Sequence, residues 1–191
     1  SNMLSFIMYA DNHYNINMAL NLKILLDILM FSRGPQDLPS SMQLLRVIII
    51  INIIIGLIKV DPSISYLVNL IFATIYVIVT LFFIKFGLEI RDNNTNTKPK
   101  YSSRYLQVCS GTLGVHAIIA IFSSLITMTT FSSDKSLLMA FLVISIYAWF
   151  VNGHIFRNSF DTTMTIGLGI SLLHSMACVF VMMIFIQLFI S

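Results

Sequence analysis

Two histidines are the residues of this chain best placed to do chemistry. His116 is the twelfth residue of one long apolar block (105–128), and His174 is the thirteenth of another (162–190). If the two blocks run in the same direction, the imidazoles lie at matched depth. An ionisable group inside an apolar span is a functional candidate by default, because a charge at mid-bilayer costs roughly 2.5–3.5 kcal/mol on insertion scales. Around His174, the face Gly167, Ser171, His174, Ser175, Cys178 and Met182 gathers small and polar side chains at helical spacing. Three chemistries fit that face. The leading one is a packed helix–helix contact in which His174 bonds a neighbouring carbonyl or hydroxyl. The second is a proton or ligand relay through His116 and His174. The third is a soft metal held by His174, Cys178, Met182 and His116. With eleven methionines in the chain, a methionine near a histidine is expected by chance. His116, His174, Ser171 and Cys178 therefore form the candidate intramembrane polar site, with no metal, cofactor or catalytic group assigned.

Carboxylates are missing from the places where acid–base chemistry would need them. All eight acidic residues fall in the N-terminal region or between the apolar blocks. No Walker loop, HExxH, GxSxG, arginine-rich voltage sensor or TVGYG filter occurs. An intramembrane enzyme is the least supported reading, because no nucleophile–base pair is visible.

The elements that would hold these residues are five apolar blocks, 42–60, 63–86, 105–128, 136–156 and 162–190. The 191-residue chain is 57% hydrophobic and 10% charged, against about 25% charged in soluble domains. About 20 apolar residues cross a hydrocarbon layer of roughly 30 Å. The run from Val47 to Ile58 offers only Asn52 and Gly56 as relief, so its helix is apolar all round and demands lipid or a larger protein. The expected fold is all-α, a polytopic transmembrane bundle of five spans preceded by a short amphipathic helix.

Basic residues set the topology. With the N-terminus cytoplasmic, nine of the eleven lysines and arginines fall inside and only Lys59 and Lys135 outside, a strong positive-inside bias. The C-terminus is then outside. The net charge of +3 points to membrane topology and not to nucleic acid. Lys23, Arg33, Arg46, Lys98, Lys100 and Arg104 are the candidate lipid-headgroup contacts.

Ser1 and Asn2 read as the scar of a purification tag, and residues 1–17 as a flexible N-terminus. Residues 18–31 predict a helix with Leu22, Leu25, Leu26 and Leu29 on one face and Lys23 and Asp27 on the other. Gly34-Pro35 supplies its stop. At about 14 residues it is too short to span, so it is expected in the cytoplasmic interface, docked on the bundle, or both. A linker with two prolines follows, to residue 41. Lys59 to Pro62 makes a transmembrane hairpin of the first two blocks. The polar loop 87–104 reads as a solvated topology signal, with a lipid or partner contact as the alternative. The last block is long enough to tilt, to kink near Gly167 and Gly169, or to fray at one end. Cys109 and Cys178 differ in depth by roughly 18 Å and cannot pair. Block three carries Ser110, Gly111, Gly114, Ala117 and Ala120, a partner face for block five. Asn52, Asn69 and Asn152 are expected to bond neighbouring helices, Tyr147 and Trp149 to join the aromatic belt, and His154 to sit at the interface.

An amphipathic lead (Leu22 to Phe31), a proline-containing linker (Pro35 to Pro39) and five spans together resemble the Yip1-like family of small polytopic membrane proteins. The resemblance is architectural and covers 18–190. It implies a non-enzymatic inner-membrane protein acting through lipid or protein partners, and carries over no functional residue. Association with a second copy of itself or with another membrane protein is the leading expectation. A small transporter or channel subunit with a path past His116 and His174 is the rival expectation.

Overall fold

The computed structural model describes residues 19–57, 65–95, 100–129 and 134–189. The flexible N-terminus expected for 1–17, the Lys59–Pro62 bend, Lys98 and most of the 131–135 turn lie outside the described residues. Six helices are present among the described residues: α1 (19–29), α2 (Met42–Gly56), α3 (Tyr66–Asn94), α4 (Tyr105–Thr129), α5 (Asp134–Phe160) and α6 (Met164–Phe189). Short 3₁₀ turns occupy Pro35–Asp37 and Tyr101–Arg104. No strand occurs among the described residues. Among the described residues four helices, α3 to α6, are long and apolar enough to cross a membrane. Helix α2, at 15 residues, covers roughly 22 Å at 1.5 Å per residue.

The isoleucine run of α2 has strand propensity, yet it is helical. In apolar surroundings a helix satisfies every backbone group within its own segment, and that requirement outweighs side-chain preference. Ser41 caps α2 by accepting from the Leu44 N–H at 3.3 Å, and Ser65 caps α3 by accepting from the Leu67 N–H at 3.3 Å.

Two helices run past their expected ends, and α1 is closed by a different residue from the one expected. Helix α1 ends near the expected residue 31, but Phe31 closes it and not the Gly34-Pro35 pair. Phe31 has a φ of 59°, with Ser32 N–H donating to Asp27 O at 2.9 Å and Phe31 N–H to Ile28 O at 3.0 Å. This is the paired bonding of a Schellman end. Helix α5 continues past the expected end of its block at 156 to Phe160. It closes the same way at Asp161 (φ 47°), where Thr162 N–H donates to Arg157 O at 3.0 Å. Nothing in 154–160 breaks a helix, so the turn shrinks to three residues. Helix α3 likewise runs to Asn94, beyond the expected end at 86.

One end of the bundle collects the α1–α2 linker, the α3–α4 connection and the α5–α6 turn. The Gln107 amide donates to Gln36 O and Leu38 O at 2.9 and 2.6 Å. Arg104 pairs with Asp161 at 3.2 Å. Asp92 accepts from the Tyr101 and Ser102 N–H groups. The core occupies this half: Ile28, Leu38, Ile84, Leu88, Val108, Leu113, Ile155 and Phe156 are essentially inaccessible. In the other half, no described side chain is buried in α4 beyond Ala117, in α5 before Val151, or in α6 beyond Cys178.

Helix α1 and the linker occupy the small-residue face of α4, where block five was expected. A side chain at Gly114 would meet the Leu25 methyls at 2.7 and 2.9 Å, and one at Gly111 would meet Pro35 Cβ at 3.0 Å. Helix α6 packs instead on α5 and α3. From Gln107 to Gly114 is roughly 10 Å of helix, so α1 climbs along the bundle, antiparallel to α2. The buried face of α1 is Ile24, Leu25 and Ile28, whereas Leu22 and Leu26, expected on that face, are exposed.

Candidate functional site

Helix α3 supplies what joins the two histidines. The Tyr76 ring stacks on His116 with centroids 4.0 Å apart and planes at 28°. The same ring meets His174 edge-on at 6.0 Å. One turn along, Thr80 places its hydroxyl 3.0 Å from His174 Nε2. Phe83 and Phe156 complete the surround, each edge-on to the His174 ring at 5.1 and 5.8 Å. Thr80 is fully buried and His174 is 2% exposed. His174 thus bonds a neighbouring hydroxyl, as the leading sequence reading expects.

Ser171 and Cys178 share the His174 face but not its role. The buried Ser171 hydroxyl donates to Trp149 O on α5 at 3.2 Å. Cys178 Sγ lies 3.6 Å from His174 Nε2. That nitrogen is already engaged by Thr80, and no group of three or more potential metal ligands occurs among the described histidines, cysteines and carboxylates. Both cysteines are free and buried.

Gly167 is a close-approach position within an uninterrupted helix: a side chain there would press on Gly153 O and Arg157 N of α5. Trp149 and Tyr147, expected in an aromatic belt, bind other segments. The Trp149 indole N–H donates to Leu168 O at 3.0 Å, and the Tyr147 hydroxyl to Leu29 O at 2.8 Å. His154, expected at the interface, is buried with Nε2 2.8 Å from Arg33 O. Asn52 donates to Leu113 O at 2.9 Å, bonding a neighbouring helix, whereas the buried Asn152 Oδ1 has no partner.

The headgroup candidates are spread unevenly. Arg33 pairs with Asp27 at 3.4 Å. Arg104 pairs with Asp161 and lies over the Tyr101 ring at 5.5 Å, matched by Arg91 at 5.5 Å. Lys23, Arg46 and Lys100 are exposed.

Tyr76 and Thr80 are the residues that sequence reasoning missed. Their i, i+4 spacing in the second block was the available signal, obscured by the uniformly apolar side chains around them. No protein-family model matches the chain, and no curated protein or solved structure is significantly similar to it.

Proposed function

We propose that the chain is a non-catalytic integral membrane component that works through lipid or protein partners. The observation carrying this reading is the unburied half of the bundle. Phe122, Leu125, Leu138, Val143, Val179 and Met183 are all more than half exposed, and helices apolar on every side require lipid or protein around them. Five spans are part of the same reading, with 42–60 as the first. The N-terminus is cytoplasmic, the C-terminus is outside, and the cell's inner (plasma) membrane is the location. Arg33, Arg91, Arg104 and Arg157 at one end of the bundle support that orientation. Helix α1 would serve as a docked wedge reaching from the cytoplasmic interface. The Yip1-like resemblance stands as a proposal on the same architecture.

Transport past His116 and His174 is the second reading, favoured by one observation: both imidazoles contact the same Tyr76 ring. Purified protein in vesicles loaded with a pH-sensitive dye separates the two. The non-catalytic reading expects proton flux equal to that of protein-free vesicles. Flux that disappears with His174→Leu would establish transport instead.

A further inference from the structure

We infer that the groove between α1 and α2 seats one acyl chain of a bilayer phospholipid. The inference rests on the membrane reading above and gives it a specific lipid contact. The groove encloses about 770 Å³, within the range of ligand pockets, about 300–1,000 Å³. Its walls are Leu22 and Leu25 from α1 and Leu44, Val47, Ile48 and Ile51 from α2.

Asn21 of α1 lines the groove, and its three other polar groups lie at one end. Asp37, Ser41 and Gln43 line the mouth, beside the linker that Gln107 ties to the start of α4. Arg46, one turn beyond Gln43, is exposed and offers a cation to a phosphate. From Ser41 to Ile51 the groove follows ten residues of helix, roughly 15 Å. That is half of a hydrocarbon layer of about 30 Å, the depth of one leaflet.

The slot also opens sideways. Leu22 and Ile51 form its lips and are exposed, and Ile50 and Ile54 continue the same apolar surface. Water in such a slot would find few polar partners, whereas an acyl chain enters from the adjoining bilayer without leaving its own solvent.

The test places the protein in phosphatidylcholine vesicles containing a phosphatidylcholine with a photoactivatable diazirine in its acyl chain, and maps the adducts by peptide mass spectrometry. Adducts are expected to be denser on the groove walls than on Leu172 and Met176, which face outward from α6. Val47→Trp, which fills the slot, is expected to remove the groove adducts and leave those on α6 unchanged. Leu44→Phe serves the same end if the Trp variant does not fold. Groove labelling no denser than that of α6, or surviving both filled variants, overturns the proposal. So does groove labelling that appears only after deletion of residues 3–17, since the chain's own N-terminus would then be the occupant. Absence of label on α6 as well would show that the membrane reading itself has failed.

Discussion

The Tyr76 ring lies between His116 and His174, stacked on the first at 4.0 Å and edge-on to the second at 6.0 Å. A residue from α3 thereby couples a histidine of α4 to a histidine of α6. If this arrangement is a packing device, the ring is what matters. Tyr76 is partly buried, so Tyr76→Ala is expected to cost up to about 3–5 kcal/mol, the range for removing a fully buried aromatic ring. Tyr76→Phe keeps the stack and is expected to lose much less. Thermal unfolding in detergent gives the order, and equal losses for the two variants would refute the role of the stack.

The Thr80–His174 hydrogen bond predicts coupling between two positions 94 residues apart in the chain. His174→Leu alone leaves the buried Thr80 hydroxyl without that partner, at about 1–3 kcal/mol, and Thr80→Val strands the imidazole similarly. Replacing both removes the need for the bond, so the double variant is expected to lose less than the two singles together. Strict additivity in a double-mutant cycle would show that the two groups do not act as a pair.

The helices were legible in the chain because uniform apolarity over more than about 20 residues admits one structure in lipid. The matched depth of His116 and His174 was legible too, since it follows from counting residues in blocks that run the same way. Which helix stands between them was not. The second block is apolar all round, so the i, i+4 spacing of Tyr76 and Thr80 does not stand out as one face. The small residues of α4 misled for a related reason. Gly111 and Gly114 mark a close approach but do not say what approaches, and Leu25 and Pro35 from the N-terminal segment fill the place expected for α6. In α1, Ile24 and Ile28 outcompeted Leu22 and Leu26 for the buried face, although both pairs repeat at the same interval.

Three glycines in helices predict three different responses to alanine. At Gly167 a new Cβ would press on Gly153 O and stand 2.9 Å from Arg157 N. Both are backbone atoms, so α5 and α6 must separate, at about 1–3 kcal/mol or more. At Gly114 the obstacle is the flexible end of Leu25; the loss is expected to be smaller and to be relieved by adding Leu25→Ala. At Gly169 nothing lies within 4 Å, so alanine is expected to stabilise by up to about 1 kcal/mol through helix propensity. Melting temperatures ordered Gly169→Ala, Gly114→Ala, Gly167→Ala from highest to lowest are the expected result; Gly167→Ala at the top would contradict the α5–α6 contact.

Phe31 holds a left-handed conformation that glycine adopts without penalty, at a cost to a side chain of roughly 1–2 kcal/mol. The ring does something glycine could not. It meets His154 edge-on at 5.3 Å and Tyr147 at 6.2 Å, closing the end of α1 over α5. The two effects separate by substitution. Phe31→Ala loses the ring and keeps the strained backbone, whereas Phe31→Gly loses the ring and relieves it. The glycine variant is therefore expected to be more stable than the alanine variant by about 1 kcal/mol. Protease sensitivity of the 29–36 segment, measured beside the melting temperature, reads the docking of α1 directly. Both variants are expected to be cut faster than the parent, because each has lost the ring that holds α1 to Tyr147 and His154. An alanine variant as stable as the glycine one would mean that Phe31 is not strained.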